Sequence, residues 1–264
     1  MPSAMGRQTP RIDEDFDPPS PLRVDAAPPP SADVFAPFRL APADRPFVVA
    51  QLGQSLDGRI ATISGESRDI SGAAALDHLH RLRAHVDAVV VGAGTIVADD
   101  PQLNVRRVAG KNPARVAIDP SGRLDGAGKW LIEDGARRFL VTTTKLSAPP
   151  SGAELLPLDA RHGTIPPAAI VEALFARGFR RILVEGGART VAAFIDANCL
   201  DRLHLLVAPM IIGSGRPGPG RPGLDLSPIQ CLRSALRPAT QAHLLEGGDV
   251  LFDCDFTSRR QFSN

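Results

Sequence analysis

One point of the sequence combines an acidic residue with two glycines in a setting that could bind phosphate. Glu185 follows the apolar run Ile182–Val184, and Gly186 and Gly187 separate it from a helical pattern that begins near Ala188. The first N–H groups of a helix have no partner inside the helix and attract anions such as phosphate. Glycine lets the backbone approach such a ligand closely. A strand followed by two glycines is also typical of an ordinary tight turn, so the motif alone leaves both interpretations open.

A second point carries a hydroxyl, a carboxylate and an arginine after another apolar run. Residues 88–91 are apolar, and they are followed by Thr95, Asp99 and Arg106. The planar guanidinium of arginine suits a phosphate group. The glycines here match only the start of the GxGxxG pattern, because Val97 stands where the third glycine would be, so the Rossmann fingerprint fails.

Alternating strands and helices must position these residues. Short apolar runs predict strands that begin near Phe47, Ala88, Ala114, Arg138, Arg181 and Leu203. Helical patterns fall between several of them, and two runs over 239–245 and 249–256 predict a final antiparallel hairpin. The sequence therefore predicts an α/β domain with a mainly parallel central sheet, flanked by helices, and an antiparallel C-terminal hairpin.

One predicted helix, from about Ala73 to Val86, carries charged residues and histidines. Arg83 is either a functional residue or a solvated surface charge. His78, His80 and His85 we interpret as exposed or at the edge of the core, and not as ligands.

Composition excludes several classes of protein. The formal net charge is +1, the basic residues are scattered, and there is no tyrosine and one tryptophan, which argues against nucleic-acid binding. No run approaches the roughly 20 apolar residues of a membrane-spanning helix. The three cysteines are far apart and predict neither a disulfide framework nor a metal site. We expect a cytoplasmic protein.

The chain divides into an N-terminal segment and one domain. Residues 1–46 are rich in proline and have an acidic cluster, so we expect them to be disordered or to lie extended over the domain. Phe35, Phe38 and Leu40 could alternatively pack onto the body or onto a partner subunit. The domain is predicted over residues 47–264.

Five motifs in order resemble those of the reductase domain in the bifunctional deaminase/reductase of riboflavin biosynthesis, a family that includes stand-alone pyrimidine reductases. They are Ser55–Ala61, Gly65–Ser67, His80–Ala84, Gly94–Pro101 and Val184–Gly187. The resemblance implies a dihydrofolate-reductase-like fold, a homodimer, and NADPH-dependent reduction of a phosphorylated pyrimidine. The implied substrate is 5-amino-6-(5-phosphoribosylamino)uracil, whose ribosyl side chain becomes ribityl.

The resemblance also implies roles for individual residues. The positions that match family substrate positions are Ser67, Arg83, Leu103, Arg106 and Glu185, with the two arginines on the phosphate. Those that match NADPH positions are Gly53, Thr95, Asp99 and the segment from Gly187 to Phe194, which includes Ala188, Arg189 and Thr190. Asp99 and Glu185 are the implied catalytic residues, and Asp99 would assist proton delivery. Arg123 could meet the 2′-phosphate of NADPH, or it could be an exposed turn residue.

Two positions depart from the family pattern. Gln51 stands where the family commonly has lysine, and Asp69 stands where it has an aromatic residue. A neutral amide cannot deliver the proton that an ammonium offers. These departures leave open a reductase of another pyrimidine or a pterin such as dihydrofolate, and a non-catalytic nucleotide-binding regulator. No cysteine or histidine precedes Phe47, so we expect the reductase without the zinc-dependent deaminase.

Overall fold

The computed structural model describes residues 33–124, 126–143, 150, 152–213 and 221–257. Apolar, β-branched runs of four to nine residues form most of the strands in this part of the chain. The strands are β1 Phe47–Ser55, β2 Arg59–Ala61, β3 Ala88–Gly92, β4 Ala114–Ile118, β5 Arg138–Thr142, β6 Glu154–Pro157, β7 Arg181–Glu185, β8 Arg202–Ala208, β9 Arg221–Pro222, β10 Ala239–Leu244 and β11 Val250–Asp255.

The helices lie between these strands. They are α1 Ala36–Arg39, α2 Ala73–His85, α3 Ala93–Asp99, α4 Pro167–Phe175 and α5 Ala188–Asp196, with single 3-10 turns at Lys129–Leu131 and Leu232–Ser234. Proline at the start of α4 has no N–H to lose and a φ that suits the first helical turn. None of the helices in the described ranges is long and apolar enough to span a bilayer.

The strands of the described chain form one large sheet with the order β10-β11-β8-β1-β7-β3-β4-β5-β6, and β2 pairs with β9 separately. From β8 to β6 all neighbours are parallel, whereas β11 is antiparallel to β8 and to β10. The predicted fold class, a mainly parallel sheet with an antiparallel C-terminal hairpin, is confirmed. This order brings the ends of β1, β7 and β3 together, although they are far apart in sequence.

The two faces of the sheet bury different helices. Because side chains alternate across a strand, Val48 and Val184 face α4 and α5, whereas Val49 and Leu183 face α2 and α3. All four side chains are fully buried. Gln51 and Glu185 lie two positions after Val49 and Leu183 on the same two strands. Their side chains are therefore on the same face of the sheet and point toward α2.

The last part of the predicted N-terminal segment is folded. Residues 36–39 form α1, and Phe38 is buried against Phe47 with ring centroids 5.4 Å apart. Phe35 stacks on His85 at a centroid distance of 4.6 Å. Phe35 and Phe38 therefore pack onto the body, as the alternative interpretation predicts, whereas Leu40 is 81% exposed and does not. The prediction for residues 1–32 lies outside the described residues.

Helix α2 spans Ala73–His85, within one residue of the predicted bounds, but its buried face carries polar residues. His78 and His80 are 4% and 2% exposed, and Arg83 is also buried. The interpretation of the histidines as exposed or at the core edge is wrong for His78 and His80, and the burial of Arg83 excludes a solvated surface charge. Apolar periodicity alone missed this face because polar groups on it have hydrogen-bond partners in other elements.

Candidate active site

All twelve predicted site residues line one cavity of about 1160 Å³ at the carboxyl ends of the parallel strands. They are Gly53, Ser67, Arg83, Thr95, Asp99, Leu103, Arg106, Glu185, Gly187, Ala188, Arg189 and Thr190. Open α/β sheets bind ligands at this edge. The cavity has two sides, which we call the glycine side, around the β7–α5 turn, and the arginine side, around Arg83 and Arg106.

The glycine side begins at the turn between β7 and α5. Gly186 and Gly187 have φ values of 65° and 60°, a backbone conformation that glycine adopts without strain. Gly187 is the N-cap of α5, and no side chain of the described residues caps this helix. The first N–H groups of α5 therefore border the cavity and are suited to an anion.

On the glycine side, the segment that follows β3 packs against the segment that follows β7 through threonines and glycines. A Cβ atom on Gly187 would lie 2.7 Å from Thr95 Oγ1, and one on Gly92 would lie 2.5 Å from Thr190 Oγ1. Each threonine thus lies against a glycine of the other segment. The close approach leaves both hydroxyl-bearing residues on the cavity wall.

A buried ion pair forms the floor of the arginine side. Arg83 donates from Nε and Nη2 to the two carboxylate oxygens of Glu185, at 2.9 and 2.8 Å, and from Nη1 to the carbonyl of Asn104 at 3.0 Å. Both side chains are 7% exposed. This fork geometry satisfies both carboxylate oxygens in a place with little water. Arg83 and Glu185, which the resemblance assigns to the ligand, contact each other directly.

Arg106 presents a second guanidinium to the cavity. Arg106 as a whole is exposed, and its Nη1 donates to Asn104 Oδ1 at 2.9 Å. Partial burial and the nearby charge of Arg83 lower the pKa of Arg106. Because Glu185 pairs with Arg83, the two guanidinium groups and the carboxylate leave a net positive charge at this end of the cavity, which favours an anion such as a phosphate monoester. Leu103, which precedes this loop, is buried and has a φ of 56°.

Asp99 also lines the cavity, and it is exposed to solvent. Its Oδ1 accepts a hydrogen bond from Ser67 Oγ at 3.0 Å, which joins the end of α3 to the loop before α2. The two predicted catalytic carboxylates thus differ in environment. Glu185 is buried and paired, whereas Asp99 can exchange protons with water.

The two departures from the family pattern also line the cavity. Gln51 is 6% exposed, and its backbone is paired in register with Glu185 on β7 and His204 on β8. No residue of the described chain hydrogen-bonds its side-chain amide. Asp69 is exposed and has a φ of 64°. Gln51 therefore adds a neutral donor and acceptor to the cavity floor.

Sequence reasoning missed residues that hold the site without lining it. His80 accepts the backbone N–H of Arg106, and Asn112 accepts that of Val105. The available signal was the spacing of His80 and Arg83, three residues apart and hence on one side of a helix. Arg123 lines the cavity, and its side chain is 56% exposed.

Comparison with known proteins identifies relatives of this chain. It is 32% identical over 219 residues to the 2,5-diamino-6-ribosylamino-4(3H)-pyrimidinone 5′-phosphate reductase of Methanothermobacter thermautotrophicus, a match that covers 79% of this chain and 97% of that protein. It is 31% identical over 185 residues to the riboflavin biosynthesis protein RibD of Aquifex aeolicus. That match covers 67% of this chain and 50% of RibD, so the chain spans about half the length of that relative.

A solved structure and a family comparison agree with these relatives. The deaminase/5-amino-6-(5-phosphoribosylamino)uracil reductase of Thermotoga maritima superposes with a TM-score of 0.67 at 26% identity, over 84% of this chain and 59% of that one. Residues 46–237 match the family described as the RibD C-terminal domain. The chain therefore belongs to the RibD C-terminal domain family, and the relatives from Methanothermobacter thermautotrophicus and Thermotoga maritima are named as reductases of phosphorylated pyrimidines.

Proposed function

We propose that this protein is an NADPH-dependent oxidoreductase that reduces the ribosylamino side chain of a phosphorylated aminopyrimidine to the ribitylamino form, in riboflavin biosynthesis. The observation that carries the proposal is the single cavity, with an anion-binding helix end on one side and two arginines on the other. A ligand pair of dinucleotide and sugar phosphate needs two anion sites with a gap between them. Family membership supports the same reaction.

The residues of the glycine side fit a dinucleotide. Gly186 and Gly187 carry no side chain that would block a pyrophosphate, and the uncapped N–H groups of α5 are suited to its charge. When bound, the reduced nicotinamide supplies a hydride. Gly53, Thr95 and the start of α5, with Ala188, Arg189 and Thr190, hold it in our proposal. NADPH rather than NADH is a further part of the proposal, with Arg123 on the 2′-phosphate.

The residues of the arginine side fit the substrate. Arg106 binds the phosphate, with the charge of Arg83 beside it, and Glu185 orients the hydroxyls of the opened sugar. Asp99, open to water and bonded to Ser67, is the carboxylate that can pass the proton that the reduction takes up. Ser67 and Leu103 border the substrate. We also propose a homodimer, which sedimentation of the purified chain would test.

Two substrates compete within this proposal. The family resemblance predicts 5-amino-6-(5-phosphoribosylamino)uracil, whereas the stand-alone archaeal relative is named for the 2,5-diamino-pyrimidinone. These compounds differ at C2, which carries oxygen in the uracil and an amino group in the pyrimidinone. The neutral amide of Gln51 in place of a family lysine gives the second substrate its support from this chain.

The deciding experiment measures NADPH oxidation by the purified full chain. The panel contains both ribosylamino phosphates, the matching compounds without phosphate, and dihydrofolate. We expect turnover of at least one ribosylamino phosphate and little of its unphosphorylated counterpart. Turnover of dihydrofolate alone would support the pterin alternative, and NADPH binding without any oxidation would support the non-catalytic regulator.

A further inference from the structure

Three side chains from other parts of the chain hold the backbone of residues 104–106, the segment that carries Arg106. Arg83 Nη1 donates to the carbonyl of Asn104 at 3.0 Å, and Asn112 Oδ1 accepts the N–H of Val105 at 2.7 Å. His80 Nδ1 accepts the N–H of Arg106 at 3.1 Å. Three consecutive residues thus each have one backbone group bound to a specific side chain. A loop held this way keeps one conformation without help from regular secondary structure.

The bond from His80 fixes the state of the imidazole. A backbone N–H can only donate, so Nδ1 must carry no proton. Burial, reinforced by the charges of Arg83 and Arg106, lowers the pKa of His80 to about 4. The side chain is 2% exposed and does not line the cavity. His80 is therefore a neutral acceptor behind the loop, and it cannot touch a ligand itself.

The position of His80 on α2 connects the loop to the ion pair of the cavity floor. His80 and Arg83 lie one helical turn apart, so a single rigid helix binds Arg106, Asn104 and Glu185. The chain also packs closely here, because a Cβ atom on Gly110 would lie 2.5 Å from Ala84 Cβ. Helix α2 thus carries Arg83 and also holds the backbone of Arg106.

We propose that His80 is a positioning residue for phosphate recognition: by accepting the N–H of Arg106, it holds that guanidinium at the distance from Arg83 that a phosphate monoester requires. The inference rests on the proposed function to the extent that Arg106 binds the phosphate of the substrate. It predicts that the loss of His80 acts on the phosphate group alone. The glycine side does not depend on the hydrogen bond from Arg106 to His80, so its affinity for NADPH should be unchanged.

The test compares binding of ribose 5-phosphate, ribose and NADPH to the full chain by calorimetry. His80→Leu removes the acceptor, and we expect it to weaken ribose 5-phosphate binding about tenfold, the scale of one lost buried hydrogen bond. Affinity for NADPH should not change. His80→Asn, whose Oδ1 can take the place of Nδ1, should restore most of the affinity. His78→Leu is the matched control, because His78 is buried on the same helix but bonds to His204.

A double-mutant cycle separates positioning from general loosening. Adding His80→Leu to Arg106→Ala should cost nothing further in ribose 5-phosphate binding, since the group that His80 positions is gone. Additive losses, equal losses for NADPH, or failure of wild type to prefer ribose 5-phosphate over ribose would overturn the inference. If His80→Leu does not fold, amide exchange in wild type decides instead. Slow exchange at Arg106 N–H supports the inference, and exchange at the rate of a free loop overturns it.

The outcome is distinguishable from failure of the proposed function. If the binding pattern holds but no ribosylaminopyrimidine is reduced, the proposed reaction is wrong and the role of His80 stands. If a ribosylaminopyrimidine is reduced but His80→Leu keeps wild-type affinity for ribose 5-phosphate, the reaction stands and the role of His80 is wrong.

Discussion

The glycine side and the arginine side of the cavity solve the problem of binding an anion in different ways. The glycine side uses backbone N–H groups exposed by Gly186 and Gly187, and its threonines pack against glycines. The arginine side uses guanidinium groups: Glu185 of β7 holds that of Arg83, and His80 of α2 holds the backbone N–H of Arg106. The first depends on the absence of side chains, and the second depends on a network of them.

This difference has energetic consequences. A backbone site loses function when atoms are added, because an added Cβ meets a neighbour. Removing one member of a buried ion pair destabilises the fold, because the remaining charge stays buried without a partner to offset its desolvation. Mutations on the glycine side should therefore weaken binding, whereas removing a member of the ion pair on the arginine side should also destabilise the fold. The following predictions test that contrast, from the largest effect to the smallest.

The largest effect should come from acid, through the buried histidines of α2 and β8. Burial lowers the pKa of His78 and His204 to about 3 and that of His80 to about 4, from an ordinary 6.5. Below pH 6.5 the unfolded chain takes up protons that the native protein refuses, so acidification destabilises the fold. At pH 5 the loss is on the order of 2 kcal/mol for each histidine.

Urea denaturation between pH 7 and pH 5 measures this loss. His78→Leu should flatten the pH dependence, whereas His162→Gln, at an exposed position, should leave it unchanged. Unfolding free energies that are equal at pH 5 and pH 7 would contradict the buried neutral state of these histidines.

Removal of Arg83 should strongly destabilise the fold. In Arg83→Met, Glu185 stays buried without its partner, which we expect to lower the free energy of unfolding by about 3–5 kcal/mol. Arg81→Met, at an exposed position on the same helix, should change it by less than about 0.5 kcal/mol. Chemical denaturation at pH 7 compares the two, and similar values would show that the ion pair is dispensable for folding.

An added methyl group on the glycine side should weaken cofactor binding. In Gly187→Ala the new Cβ would lie 2.7 Å from Thr95 Oγ1 at a positive φ, and we expect the Kd for NADPH to rise roughly 30-fold, or about 2 kcal/mol. Gly135→Ala is the matched control, because Gly135 has a φ of 83° with no neighbour near its Cβ and does not line the cavity. It should cost stability without changing NADPH affinity, as fluorescence titration would show.

The smallest effect should come from an exposed charge at the edge of the cavity. In Arg123→Ala we expect the preference for NADPH over NADH to fall about tenfold, equivalent to about 1.4 kcal/mol. Arg161→Ala removes an exposed arginine that does not line the cavity, and it should keep the preference. The ratio of kcat/KM for the two cofactors measures this. An unchanged ratio would show that Arg123 is an exposed turn residue that does not contact the 2′-phosphate.

Local patterns were enough to predict most of the fold. The hairpin of β10 and β11 follows from two runs on either side of Gly247 and Gly248, and the bounds of α2 follow from apolar periodicity. The glycine side was equally accessible, because a strand, two glycines and a helix are consecutive in the chain. The buried face of α2 was not, because polar residues on it have partners in distant elements.

The arginine side shows where local reasoning ends. The sequence leaves Arg83 as either a functional or a solvated charge and predicts that His80 is exposed or at the edge of the core, because neither residue has a visible partner in its own segment. Glu185 is 102 residues from Arg83, and Arg106 is 26 residues from His80. Their pairing depends on where β7 and the loop after α3 lie relative to α2.

The sequence by itself determined the alternation of strands and helices, the glycine turn before α5 and the motifs that identify the family. Each of these depends only on residues that are close together in the chain. The tertiary structure decided which charges neutralise each other and which remain for a ligand. The order β1-β7-β3 brings Gln51, Glu185 and Thr95 to one cavity, and the packing of α2 on that face turns Arg83 inward. Partners so distant in the chain are chosen only when the sheet and its helices are assembled.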